Sequence, residues 1–420
     1  MSASAHAAAA RTTTAFVEVR GTRFEISGKP YRYVGANFWY GINLGIAGPR
    51  GDRARLVREL DRLQAMGVDN LRIMAATEGP DGEPWRMSPA LVTAPGVLRE
   101  DVLEGLDFLL HEMRLRGMRA VVCLSNFWPW SGGMSQYLAW AGRGSIPYPP
   151  PQAGGDWGRY QSYTERFYET PVAVSAQRET VRQIVTRFNK LSGLRYADDP
   201  AIMSWQLANE PRGGTRAPAF RHWLHESAAY IKNLDRKHLV TTGVEGETPW
   251  PSGSGLDLVR DHDSPNIDYV TAHVWAQNWG WFDPTRVSET YADAVARMRD
   301  YIESHERKAR SLGKPLVIEE FGIGRDGGSY DPLAPVTVRD RYYAEVFSLV
   351  ESLARTGAMA GVNFWAWAGE GTPRVPGGHW GDGDPFTGDP PHEAQGWYGV
   401  DARDASTIAV IERYAARIRR

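Results

Sequence analysis

The feature that most restricts how this chain can fold is a rhythm of short apolar runs separated by helical stretches. Eight such runs begin near Tyr33, Leu71, Val121, Met203, Leu239, Tyr269, Leu316 and Val362. They lack the strict alternation of a strand with one wet face. Each therefore reads as a strand buried on both faces and parallel to its neighbours. Between them apolar residues recur at helical spacing, as in Leu56, Leu60, Leu63 and Met66, or Ala292, Val295, Met298 and Ile302. Thr170-Pro171, Asp283-Pro284 and Ser406 read as helix openings, and only the crossover near Asp257 is weakly marked. Eight strands with helical crossovers favour a closed (β/α)8 TIM barrel over an open doubly wound sheet. No Gly-x-Gly-x-x-Gly or Walker sequence follows a strand, which weakens a nucleotide-binding alternative. Ahead of the rhythm, Phe16 to Ile26 alternates about Gly21 and predicts an N-terminal β-hairpin.

A barrel needs about 250 residues, and this chain has 420. The surplus falls in long loops after the third and eighth strands, the first of them a Gly-, Pro- and Trp-rich irregular stretch from 126 to 169. Those are loops of the catalytic face. No linker interrupts residues 15–420, which read as a single catalytic domain. Residues 1–14 are rich in Ala, Ser and Thr and read as a disordered leader or the remnant of an export signal, without the apolar core of an intact one. The expectation is a secreted or periplasmic monomer. No run approaches the roughly 18 apolar residues of a membrane span. A net charge of −2 without charge blocks argues against nucleic acid and anionic membrane as partners. The single cysteine, Cys123, sits in an apolar run and reads as a buried small hydrophobe.

Two of the runs end in carboxylates. Ile202 to Ala208 leads into Asn209-Glu210-Pro211, and Pro315 to Ile318 leads into Glu319-Glu320-Phe321-Gly322. In a barrel, strand ends share one bowl, so residues far apart in sequence can meet there. Two carboxylates flanking one linkage are what glycoside hydrolysis needs, one as acid/base and one as nucleophile. Glu210 is assigned as acid/base and Glu320 as nucleophile; the acid must hold a proton near neutral pH, so burial is expected to raise its pKa. Alternation along the strand assigns Glu319 to the outside of the barrel. This chemistry needs no cofactor. Metal catalysis is discounted, because Gly381 to Asp384 lacks the ligand spacing of a calcium loop and His222, His225 and Glu226 do not follow the zinc-helix order.

Trp205 to Pro211 and Ile318 to Gly322 resemble the two signatures of glycoside hydrolase family 5, whose barrels carry both glutamates on strands four and seven. The stretches Gly35 to Tyr40, Gly132 to Trp140, His273 to Trp281, Asn363 to Trp367 and Gly388 to Trp397 are similar to its β-mannanase branch. The resemblance implies a retaining endo-β-1,4-mannanase acting on β-mannan, glucomannan or galactomannan. The rivals are an exo-β-mannosidase or β-1,4-glucanase of the same clan, and a non-catalytic carbohydrate-binding barrel. It further implies that Arg72 keeps the nucleophile ionised, that Asn209 meets the sugar 2-hydroxyl, that His273 lies beside the catalytic pair, and that Trp365 floors the −1 subsite, with a cis peptide after it in many members. Trp275 stands where many members carry a tyrosine that bonds the nucleophile. It puts that contact in doubt and reads instead as a sugar platform. Trp39, Trp128, Trp279 and Trp397, in rim loops, are further candidates for stacking on sugar faces, and Asn126 for hydrogen bonding in a subsite.

Overall fold

The computed structural model describes residues 14–420; residues 1–13, on which the reading of a leader falls, lie outside them. Eight strands form one parallel sheet: β1 (Tyr33–Asn37), β2 (Asn70–Met74), β3 (Arg119–Cys123), β4 (Ile202–Gln206), β5 (Leu239–Thr241), β6 (Val270–Val274), β7 (Leu316–Phe321) and β8 (Met359–Phe364). Their neighbour order is β5-β4-β3-β2-β1-β8-β7-β6. The seam between β5 and β6 is stitched by hydrogen bonds. The Asp268 N–H donates to the Val240 carbonyl at 2.8 Å and the His273 N–H to that of Glu245 at 2.9 Å. The Thr241 and Thr271 hydroxyls donate to the Tyr269 and Val244 carbonyls at 2.9 and 2.8 Å. The expected (β/α)8 barrel is the fold, and every strand lies where the apolar runs predict it.

A helix follows each strand: Arg53–Ala65, Glu100–Leu115, Pro171–Val185, Ala217–Leu234, Leu258–His262, Val287–Leu312, Thr337–Thr356 and Ala405–Ile418. All residues of the eight strands are buried, which is why the strands show no alternation: helices cover one face and the barrel interior the other. None of these helices is long and apolar enough to cross a membrane.

The hairpin of Val17–Arg20 and Arg23–Ile26 plugs the bottom of the barrel. Its Val17 and Phe24 pack among Tyr33, Val121, Met203, Tyr269 and Val317, with Phe24 edge-on to Tyr269 at 5.3 Å between ring centres. Gly361 of β8 belongs to this layer. A Cβ there would lie 2.5 Å from the Tyr33 ring. Gly361→Ala is therefore expected to lower stability by about 1–3 kcal/mol through overpacking, read as a lower urea midpoint. An unchanged midpoint would mean that the ring has room to move.

The structure differs from the sequence reading at several helix ends. Within the stretch from 126 to 169 lie two short helices, Gly133–Trp140 and Trp157–Thr164. Aromatic packing hides them from apolar periodicity. The Thr170 hydroxyl donates to the Arg166 carbonyl at 2.8 Å instead of capping the helix it precedes. Asp283 accepts the Thr285 N–H at 2.9 Å in a tight turn, so the long helix starts only at Val287. The last helix follows Asp404, not Ser406. The Asp404 carboxylate takes a two-pronged ion pair from buried Arg325 at 2.8 and 2.9 Å. The weakly marked crossover is the five-residue helix Leu258–His262, capped by Asp257.

Candidate active site

The extension of β4 is held on both sides past the strand itself. The Leu207 N–H donates to Thr241 O at 2.9 Å, that of Asn209 to Ser125 O at 2.9 Å, and that of Glu210 to Gly243 O at 2.9 Å. Gly243 has φ +76°, and a Cβ there would strike the Ala208 carbonyl at 1.9 Å, so only glycine allows this approach. Glu210 itself has φ +49°. A non-glycine residue in that region costs about 1–3 kcal/mol and persists where the surroundings over-determine it.

On the other side of the mouth, β7 carries a bulge. Ala272 pairs with Ile318 and His273 with Glu320, so two residues of β7 oppose one of β6 at this step. The bulge breaks the alternation that assigned Glu319 to the outside. Glu319 is 1% exposed and lies inside the barrel, where it accepts from Gln206 Nε2 at 2.5 Å and Tyr269 OH at 3.5 Å. Glu320 sits just above it, facing Glu210.

Arg72, at the end of β2, ties the two halves together. Its Nη1 donates to Glu320 and, at 3.1 Å, to Asn37 Oδ1. Nη2 donates to Asn209 Oδ1 at 2.7 Å and Nε to Gln206 Oε1 at 2.8 Å. The fork thus orients both the nucleophile candidate and Asn209, as a point charge would not. Asn209 also donates to Asn126 Oδ1 at 3.1 Å. Three donors converge on Glu210: Trp128 Nε1 at 2.6 Å and, on the other oxygen, His273 Nδ1 at 2.6 Å and Trp275 Nε1 at 3.2 Å. Trp275 therefore reaches the acid/base candidate, whereas the tyrosine it replaces is associated with the nucleophile. His273 Nδ1 is also 3.3 Å from Glu320 Oε2.

These contacts set the protonation pattern. Burial opposes a charge on His273, but the charge of Glu320 and the hydrogen bond to Glu210 outweigh it and push the imidazole up to about 10. Burial raises Glu320 to about 7 against the opposing pull of His273 and Arg72. Burial also works upward on Glu210, yet the His273 hydrogen bond and charge hold it below the usual carboxylate range. That direction is opposite to the one expected for a proton donor. The group with the raised proton affinity is His273, whose Nδ1 is one hydrogen bond from Glu210. Ligand atoms of Glu210, His273 and Glu320 lie within 4.8 Å of one another, a spacing that would suit a cation. The imidazolium and the Arg72 guanidinium already neutralise those carboxylates, so the set fits proton chemistry better than a metal.

The pair opens into a cavity of about 380 Å³ lined by Trp128, Trp275, Trp279 and Trp365 among others. The Trp365–Ala366 peptide is cis. Three residues expected to touch sugar do not line this cavity. Trp39 is 3% exposed and donates its indole N–H to the Gly388 carbonyl at 2.7 Å. Trp397 stacks on Tyr398 at 4.6 Å. Asn126 is fully buried, with its amide spent on Ser131, Asn209 and the Trp128 N–H, so it supports Asn209 from behind. Aromatic loop residues look alike in sequence whether they stack on each other or on a ligand.

Other wall residues carried no periodic signal. Arg212 donates to Glu245 at 2.5 Å and Gln161 at 2.9 Å and lies 4.9 Å over the Trp128 ring. Its position directly after Glu210-Pro211 was the one available cue. Trp157, Trp250, Asn278, His392 and Glu393 also line the cavity. Glu393 is held well above the carboxylate range, first by burial and then by the charges of Asp389, Glu320 and Glu210. Its Oε2 lacks a hydrogen-bond partner.

What this mouth can do chemically is narrow. Two carboxylates within reach of one linkage, in a bowl walled by indoles, serve acid–base cleavage between sugars, so fold and site define the class as glycoside hydrolase. Comparison with known proteins makes the assignment particular. The chain matches the model described as GH family 5 beta-mannosidase-like over residues 14–420 and belongs to that family. It is 30% identical over 372 residues to mannan endo-1,4-beta-mannosidase 5 of Solanum lycopersicum, covering 85% of this chain and 82% of that one. The crystal structure of a glycoside hydrolase family 5 mannosidase from Rhizomucor miehei superposes with a TM-score of 0.88 at 39% identity, covering 96% of this chain and 97% of that one. A variant of that enzyme in complex with mannosyl-fructose is similar to the same degree, with a TM-score of 0.88, 38% identity and coverage of 96% and 97%.

Proposed function

We propose that the protein is a retaining β-mannosidase that removes mannose units from the non-reducing ends of β-1,4-manno-oligosaccharides. Glu320 attacks the anomeric carbon, the glycosidic C–O bond breaks, and the leaving oxygen takes a proton that passes from His273 Nδ1 through Glu210, leaving Glu210 a carboxylate and His273 neutral. Glu210 then takes a proton from water as the water oxygen attacks the same carbon and the bond to Glu320 breaks, and that proton returns to His273 Nδ1. Carboxylate oxygens within 4.8 Å support retention, because inversion needs the carboxyl groups about 6.5–9.5 Å apart.

The exo reading departs from the endo expectation, and one observation carries it: loops after β3 and β8 wall off the side of the bowl above β1 and β2. Trp157 and His392 lie 5.8 Å apart between ring centres across that wall. Behind it, Trp39 packs on Trp130 at 5.2 Å and on Phe386 at 5.6 Å. The cavity is lined from β3 round to β8, and no residue following β1 or β2 contributes. A leaving sugar would lie on the Glu210 side, toward Arg212 and Trp250. The glycosyl unit would lie over Trp365 with its far end against His392 and Glu393, leaving little room for a further unit. The likeness to a family 5 mannosidase from Rhizomucor miehei favours the same reading. The endo reading draws on the names of the plant relatives.

The test is the initial product profile from mannotriose to mannohexaose with the reducing end reduced to the alditol. Mannose and a chain shorter by one unit are expected at every length. Initial release of mannobiose or longer internal fragments would overturn exo action, and hydrolysis of cello-oligosaccharides alone would overturn the substrate.

A further inference from the structure

Beneath the catalytic pair lies a third carboxylate that the mechanism above does not use. We infer that Glu319 is a positioning residue for proton supply, a buried carboxylate set beneath His273 that favours a proton on the ring beside Glu210. The inference rests on the acid/base reading of Glu210.

The geometry is a line of three groups. His273 Nδ1 meets Glu210 at 2.6 Å. On the opposite edge of the ring, Nε2 has no hydrogen-bond partner and faces Glu319 Oε2 at 3.9 Å. The same oxygen is 3.7 Å from Arg72 Nε and accepts from Gln206 Nε2 at 2.5 Å, which fixes the carboxylate below the ring. The bulge in β7 creates this arrangement, because it turns two consecutive glutamates inward where regular alternation would present one.

Charge balance gives the arrangement its consequence. Glu210 after β4, Glu319 and Glu320 on β7, and the Arg212–Glu245 pair surround His273 and Arg72. Arg212 and Glu245 neutralise each other at 2.5 Å. The remaining titratable neighbours of Glu319 are Tyr33, Tyr269 and Cys123, all neutral because burial raises them. That leaves three carboxylates against two cations, an excess anion that increases the proton affinity of the whole cluster. Without Glu319 the three charges become two, and the excess disappears.

The test uses Glu319→Gln, which keeps the shape and an acceptor for Gln206, beside Glu319→Asp, which keeps the charge. For hydrolysis of an aryl β-mannoside, the basic limb of kcat/KM is expected to move toward acid by about one pH unit or more in the Gln variant, with KM little changed. The Asp variant is expected to keep the wild-type limb. Equal loss of kcat in both variants with unmoved limbs would reduce Glu319 to a structural role and overturn the inference. A second measurement needs neither turnover nor a variant of Glu319. Nitrogen-15 histidine NMR of the wild type, assigned with His273→Asn, is expected to find His273 doubly protonated at pH 7.5. A neutral ring there would overturn the inference even if the Gln variant failed to fold. Because the NMR reads no catalysis, its result stands apart from the fate of the acid/base assignment, which Glu210→Gln tests separately.

Discussion

Glu320→Ala is expected to lower kcat/KM on an aryl β-mannoside by about four orders of magnitude or more, since the nucleophile and its acid partner act as a unit. The fold should survive: the change removes a buried group that carries a destabilising raised pKa, and Arg72 retains Glu319 within 3.7 Å. Azide should restore part of the activity by occupying the vacated space and should give the α-mannosyl azide, because it attacks from the face the carboxylate used. In Glu210→Ala the first step on an activated aryl leaving group should persist, and azide should trap the glycosyl-enzyme as the β-product. The opposite pairing of products would exchange the two roles. Wild-type turnover by Glu320→Ala would remove the catalytic assignment altogether.

Arg72→Met should combine a stability loss with a pH shift. The side chain is buried with two carboxylates in its reach, and removing one member of a buried ionic set typically costs about 3–5 kcal/mol. The sign of the pH effect follows from the charge. Removing a cation raises the Glu320 pKa above its present value of about 7, so the nucleophile ionises only at higher pH. The acid limb of kcat/KM should therefore move to higher pH, and activity at pH 7 should fall by about a hundredfold or more. Arg72→Lys should recover part of the limb position through its charge. It should recover less of the rate, because an ammonium cannot reproduce the fork that holds Asn209 and Gln206 together. A Met variant with an unmoved acid limb would mean that Arg72 does not govern the ionisation of Glu320.

The most legible parts of this protein were those whose signal is local. Eight apolar runs marked eight strands, because a strand buried on both faces has to be apolar along its length. The two runs ending in carboxylates marked the mouth of the barrel, because a charged residue at a strand end has only the rim to occupy. Arg72, Asn209 and His273 were legible for the same reason, each standing at or beside a strand end. Glu319 was misread because a bulge adds one residue to one strand, a fact of pairing that leaves no mark in the strand's own composition. Trp39, Trp397 and Asn126 pack on neighbouring residues instead of lining the cavity, and an indole or amide looks the same in sequence whether its partner is a ligand or a neighbouring loop.

By itself, then, the sequence determined the barrel, its strand order and the residues delivered to its rim, since burial periodicity and strand ends are properties of short segments. Tertiary structure alone decided that His273 meets Glu210 at hydrogen-bond distance, that Trp275 turns to Glu210 rather than Glu320, and that distant loops after β3 and β8 meet in a wall. Each of those depends on contacts between residues far apart in the chain, where ångströms set protonation and access and composition says nothing about distance.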